Sequence, residues 1–152
     1  MIDFEHIEKT VLDGFETAMS TTPQSAKYHA EGDVHTHTLM VVEALKSLPE
    51  YQRLSETQRH ILNFAALLHD VGKIGTTINS AGDWESPHYS ATGSRMVREL
   101  LWKNYGQCGT KELMDLREVV CLLGRKCDDQ QQMLDQIALC EELAKEEGCY
   151  DR

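Results

Sequence analysis

No stretch of this 152-residue sequence is apolar for long enough to cross a bilayer. The longest apolar run, Phe64 to Leu68, falls far short of the roughly 20 residues that a spanning helix needs. Residues 1–20 mix charged with apolar groups, so neither an export signal nor a membrane anchor is indicated. Cysteine is sparse and poorly spaced for cross-linking. The five, Cys108, Cys121, Cys127, Cys140 and Cys149, are odd in number and contain no C-x-x-C pair. That argues against a disulfide framework or a structural zinc ribbon and fits a reducing, cytoplasmic setting. Positive charge is in deficit: 15 Lys and Arg against 25 Asp and Glu leave a net charge of −10. Such a balance opposes sequence-blind attraction to nucleic-acid phosphates, so any phosphate chemistry has to be local. Also missing are a G-x-x-x-x-G-K-[ST] phosphate loop, an internal repeat, a low-complexity segment and any convincing strand.

What is present is helical periodicity in a composition, 41% hydrophobic and 26% charged, typical of a folded globular chain. One domain over residues 1–152 is expected, an all-α compact bundle of about six helices. Phe4, Ile7, Val11 and Phe15 mark an amphipathic helix over about 3–19. After a loop over 21–32, a second helix is predicted for 34–48, with His37, Met40, Val41, Ala44, Leu45 and Leu48 on its inner face and Pro49 beyond its end. A third, about 55–70, begins at a Ser55 cap and carries the run Phe64-Ala65-Ala66-Leu67-Leu68, as a central buried helix would, with Gly72 as its stop. Residues 75–86 lack helical period and read as a loop beside the site. Ser86 as N-cap and Pro87 at the first position open a fourth helix, with His88 in its first turn and Tyr89, Gly93, Met96, Val97 and Leu100 buried. Helices over about 111–126 and 129–147 complete the set. The second buries Met133, Ile137, Cys140 and Ala144.

The chemistry-bearing residues cluster in this scheme. His69-Asp70 ends the most apolar helix, where an imidazole and a carboxylate would both be costly to bury without partners. A capping carboxylate with a hydrogen-bonded histidine would meet that need, and so would a divalent ion. His37, inward on the preceding helix, favours the ion because helix packing can bring it to the other two. Imidazole and carboxylate donors suit Zn, Mn, Fe, Co or Ni, and Mg is a further candidate. Three protein ligands leave positions for water, whose pKa the cation lowers. Lys73, just past the helix end, is placed to neutralise a phosphoryl oxygen or, equally, to lie in solvent near the helix dipole. His88 at a helix start could donate to phosphate or to a leaving oxygen, and Arg95 could reach the same anion. Alternatively both are plain surface residues. His35 lies on another face, and His6, His29 and His60 read as surface or packing positions.

The segments Gly32-Asp33-Val34-His35-Thr36-His37-Thr38-Leu39 and Ala65-Ala66-Leu67-Leu68-His69-Asp70-Val71-Gly72-Lys73 resemble the H…HD pattern of the HD-domain metal-dependent phosphohydrolase superfamily. In wording and order they look closest to the HD domains of tRNA CCA-adding enzymes and of bacterial HD–polynucleotide kinase fusions. The later His-x-x-x-x-Gly segment of those relatives corresponds to His88 through Gly93, and the resemblance spans roughly residues 28 to 149. It implies that His37, His69 and Asp70 are metal ligands and that Lys73 and His88 act on the phosphate. The implied substrate is a phosphomonoester or 2′,3′-cyclic phosphate of a nucleotide or RNA end.

Two departures bear on activity. Cys121 stands where the closing D-x-x-G-R segment of those relatives has its Asp, ahead of Gly124-Arg125. A stretch often containing V-R-x-H is missing after Arg117-Glu118-Val119, which implies a shortened C-terminal part. The fourth ligand that the family draws from a distant Asp is therefore unassigned, with Asp115, Glu118 and Asp128 as candidates. A catalytically impaired HD-fold module for nucleotide binding or docking is the alternative reading. A third is one domain of a longer chain with a kinase or nucleotidyltransferase partner.

Overall fold

The computed structural model describes residues 4–25, 32–105 and 130–147. Six α-helices occur there: α1 (Phe4–Ser20), α2 (Val34–Lys46), the short α3 (Pro49–Gln52), α4 (Glu56–Leu68), α5 (Tyr89–Tyr105) and α6 (Gln130–Glu147). A 3-10 helix, Val71–Gly75, links α4 to a two-stranded hairpin, β1 (Ile78–Ser80) and β2 (Asp83–Glu85). The all-α bundle expected from periodicity is what forms. The helix predicted over 111–126, and with it Asp115, Glu118, Cys121 and Asp128, lies outside the described residues.

Helix α4 is the centre of the bundle. It starts on a complete capping box, in which the Ser55 hydroxyl accepts from Gln58 N at 3.2 Å and the Gln58 side chain accepts from Ser55 N at 3.0 Å. Every residue from Ile61 to Leu68 is buried, because α1, α2 and α6 pack around it. Phe64, Ile61 and Leu68 meet Val41 and Leu45 of α2 and Met133, Ile137 and Cys140 of α6 in one core. Asp33 caps α2, its carboxylate accepting from Thr36 N and from the Thr36 hydroxyl, both at 2.8 Å.

Several sequence expectations need correction. Helix α2 stops at Lys46, and Pro49 opens a separate short helix instead of merely following the previous one. Its inner face is Val34, His37, Thr38, Val41, Val42 and Leu45, so the buried stripe is rotated from the one expected. Met40 is 55% exposed and Ala44 is also outside. The segment expected to be free of strands contains the hairpin, whose register pairs Ile78 with Glu85 and Asn79 with Trp84. Its turn, Ala81-Gly82, has positive φ at both positions, 51° and 86°, the twist that two-residue hairpin loops require.

Gly72 does not stop a helix by a left-handed turn. It lies buried inside the 3-10 helix, where the backbone meets the first turn of α5. A Cβ at position 72 would strike the Tyr89 carbonyl oxygen and come within 2.6 Å of Gly93 N. Gly93 answers from the other side, its own Cβ position 3.3 Å from Gly72 N. Backbone therefore packs on backbone between the end of the α4 segment and α5. Gly72→Ala is expected to destabilise the fold by about 1–3 kcal/mol, the usual cost of forcing atoms into a packed contact. Gly75→Ala, with nothing within 4 Å of its Cβ position, should change stability by less than about 0.5 kcal/mol. Urea unfolding of the two variants checks this, and equal midpoints would refute the close-packing account.

Candidate metal centre

His37 sits one turn into α2, its N–H donating to the Asp33 carbonyl at 3.2 Å. His69 is the C-cap of α4, and Asp70 follows at φ −111°, ψ 10°. That is the sparsely allowed bridge region, where many active-site residues are found. The change of backbone direction at Asp70 turns its side chain back toward α2. Packing of α2 on α4 then brings together the three residues singled out in the sequence.

Their geometry is tight. His69 Nε2 lies 3.0 Å and His37 Nε2 3.3 Å from the same carboxylate oxygen, Asp70 Oδ2. The two imidazole rings are tilted at 56° with centroids 5.6 Å apart. One ligand atom from each residue falls within 4.8 Å of the others, and all three residues are buried. Asp70 itself is 0% exposed.

The tautomer of His69 is set by its own helix. Its Nδ1 is 2.6 Å from the Ala66 carbonyl oxygen, which can only accept, so Nδ1 carries the proton. In the neutral ring, Nε2 then presents a lone pair toward the Asp70 carboxylate. Two lone-pair donors facing each other at 3.0 Å repel unless a proton or a cation lies between them. A backbone carbonyl that fixes one ring nitrogen and leaves the other for a metal is the usual arrangement behind a ligating histidine. The carbonyl end of α4 adds partial negative charge at the same place. Two imidazoles and a carboxylate in a buried cluster thus fit a divalent transition ion by donor type and by orientation.

The remaining sequence candidates separate into two groups. Lys73 is brought in: it is buried, its ammonium 3.3 Å from Asp70 Oδ2 and 2.9 Å from Gln24 Oε1, and it lies 4.9 Å from the centre of the Tyr89 ring. The solvated lysine considered from the sequence is thereby excluded. His88 and Arg95 are exposed and are not part of the buried cluster.

His88 also requires a correction, because it precedes α5 instead of occupying its first turn. Ser86 is not the helix cap. Its carbonyl accepts from Tyr89 N at 3.4 Å across a turn, and its hydroxyl lies 2.7 Å from the Thr77 hydroxyl. His88 takes the left-handed conformation, φ 57°, which no helical residue adopts. His35 points elsewhere, toward Glu16 at 3.7 Å, and His60 lies beside Glu8 at 3.3 Å.

Gln24 is a residue that sequence reasoning passed over. It lay in a segment read only as loop, and no pattern in that segment announces a contact to Lys73, 49 positions away. Among the described residues, no helix is long and apolar enough to cross a membrane.

Comparison with known proteins bears on the same segment. The HD domain family model matches residues 34–104, just under half of the chain. A Multifunctional CCA protein of Legionella pneumophila (strain Paris) is 34% identical over 79 residues, 51% of this chain and 17% of that protein. One of Hahella chejuensis is 36% identical over 84 residues, 55% of this chain and again 17% of the relative. The chain thus aligns with about a sixth of the length of these relatives. No solved structure gives a significant match. HD domains bind divalent metal ions and belong to a superfamily of metal-dependent phosphohydrolases. Over residues 34–104, which contain His37, His69 and Asp70 with their shared carboxylate oxygen, this chain carries the pattern of the HD domain family.

Proposed function

We propose that this protein is a metal-dependent phosphohydrolase acting on a phosphomonoester or 2′,3′-cyclic phosphate of a nucleotide or RNA end. The observation that carries the reading is the convergence of His37, His69 and Lys73 on Asp70 Oδ2, with the His69 tautomer fixed by Ala66. His37, His69 and Asp70 would hold the ion. When bound, a divalent ion supplies Lewis acidity toward a phosphoryl oxygen and brings the pKa of water at the site toward neutrality.

The charges favour a phosphate. An ion's double positive charge, with Lys73 added and Asp70 subtracted, leaves a site that a phosphate dianion neutralises. Lys73 balances a phosphoryl oxygen from a fixed position, so little reorganisation is needed when charge develops there. His88, exposed at the start of α5, gives a proton to the leaving oxygen, and Arg95 on the same helix steers the anion inward. The nucleotide or RNA-end substrate class rests on the resemblance to the HD domains of CCA-adding enzymes, not on a contact within the site.

Three outcomes are expected. Purified chain supplied with Mn, Ni or Co should bind the ion stoichiometrically, and ion at about 100 times its Kd should raise the unfolding free energy by about 2.7 kcal/mol. Elemental analysis and thermal melts with and without chelator measure both effects. Second, the loaded protein should release phosphate from p-nitrophenyl phosphate or open 2′,3′-cyclic nucleotides. His69→Ala and Asp70→Asn should lose ion and turnover together, by about 100-fold or more. Bound nucleotide without any turnover would instead favour the impaired binding module.

Third, His88→Gly should leave stability unchanged or raise it by up to about 1 kcal/mol, because glycine tolerates the left-handed backbone. Its turnover should nevertheless fall about 100-fold, the contribution typical of a positioned acid. A His88→Gly protein as active as wild type would remove this residue from the mechanism.

A further inference from the structure

We propose that Gln24 is a phosphate-binding residue of this site, holding Lys73 through its amide oxygen and presenting its amide nitrogen to the same anion. The proposal rests on the hydrolase reading only for the identity of the anion.

Gln24 lies four residues after the end of α1 and is 6% exposed. Its backbone is secured on both sides. Gln24 N donates to the Gly32 carbonyl at 3.0 Å, Pro23 forms an antiparallel bridge with Asp33, and Val34 N donates to the Thr22 carbonyl at 3.0 Å. The Ser25 hydroxyl, in turn, donates to Asp83 of the hairpin at 2.5 Å. A side chain on so constrained a segment starts from a fixed origin, as a preorganised site requires.

The amide orientation follows from its neighbour. A lysine ammonium only donates, so the atom 2.9 Å from Lys73 Nζ must be the oxygen. Gln24 Nε2, on the same amide carbon, is therefore not the atom bound to Lys73 and keeps its N–H groups for another acceptor. That nitrogen is buried and has no hydrogen-bond partner among the described residues. A buried amide N–H without an acceptor is costly and uncommon in native proteins. Here it sits on the same amide group that grips Lys73, which is in contact with Asp70. An ammonium and an amide N–H side by side, next to a carboxylate-and-imidazole cluster, form a donor pair for two oxygens of a tetrahedral anion.

The choice of a neutral amide supports the same end. A carboxylate at position 24 would grip Lys73 more strongly but would cancel its charge. Glutamine fixes the lysine and leaves its charge for the ligand. The Tyr89 ring, 4.9 Å from Lys73 Nζ, limits the ammonium on another side through a cation–π contact.

Two substitutions in the full, metal-loaded chain separate binding from support. Gln24→Met removes both amide groups at similar volume. Gln24→Glu keeps an acceptor for Lys73 and replaces the donor by a negative oxygen. Titration calorimetry with inorganic phosphate should show affinity reduced about tenfold by Met and about 100-fold or more by Glu, with bound metal unchanged in both. A purely supporting role for Lys73 predicts the opposite order, because Glu retains the grip.

Affinities equal to wild type, Glu milder than Met, or no phosphate binding by the wild type would each overturn the assignment. If Gln24→Glu does not fold, the Met variant still decides between tenfold loss and none. Phosphate binding that depends on Gln24 without ester turnover would sink the hydrolase reading and leave this one standing. Turnover of p-nitrophenyl phosphate indifferent to both substitutions would do the reverse.

Discussion

A carboxylate with no exposed surface cannot stay charged in a helical core unless positive or donating groups surround it. In this chain three nitrogens, from His37, His69 and Lys73, lie within 3.3 Å of one oxygen of Asp70; Lys73 donates, and the His69 lone pair calls for a cation between ring and carboxylate. The rest of the structure is arranged to bring them there. Helix α2 supplies one, the end of α4 the second, and the 3-10 turn after α4 the third. Each comes from an element whose boundaries are fixed by its own local chemistry. The Asp33 cap sets where α2 begins, and so which turn carries His37. The capping box at Ser55 sets the start of α4, thirteen residues before its C-terminal end at Leu68 and the His69 cap.

The close approach of Gly72 to Tyr89 and Gly93 belongs to the same arrangement. Lys73 follows Gly72 directly, and Tyr89, whose ring lies under the Lys73 ammonium, opens α5. A side chain at position 72 would push α5 away and withdraw the ring. Glycine is thus required here for proximity, with no call on its unusual backbone freedom. The left-handed backbone of His88, the residue before Tyr89, is a second local cost. Such a conformation in a non-glycine residue persists only where surrounding contacts hold it, and it occurs often at functional sites.

Much of this was legible in the sequence, for identifiable reasons. The helices around α4 follow from a strong 3.6-residue pattern, and the His37, His69 and Asp70 cluster follows from placing two such helices side by side. Local signals failed where tertiary contacts decided. The hairpin strands have only three residues each, too short for alternation to register, and Ala-Gly is a weaker turn signal than Asn-Gly. Ser86-Pro87 carries the features of a helix start, but the Ser86 hydroxyl is engaged by Thr77 and the helix opens three residues later. Met40 lies outside because the face of α2 that packs on α4 and α1 centres on Val34, Thr38, Val41 and Leu45. Gln24 was invisible because its role depends on a partner 49 residues away.

The charge of the chain and the donors of the proposed site act over different distances, and the difference has a physical use. A net charge of −10 repels polyanions over distances comparable to the Debye length, about 8 Å at physiological salt. On the proposed reading the ion-loaded cluster, with Lys73 shielded from solvent and Gln24 adding a donor without adding negative charge, attracts an anion only at short range. A long nucleic acid gains little from such a surface, because most of its phosphates would face repulsion. Under the proposed function, a single terminal or cyclic phosphate meets less of this repulsion than a long chain does. The same contrast accounts for why the proposed phosphate binding is not legible in composition. It resides in three or four side chains whose effect depends on burial, and burial is a property of the fold.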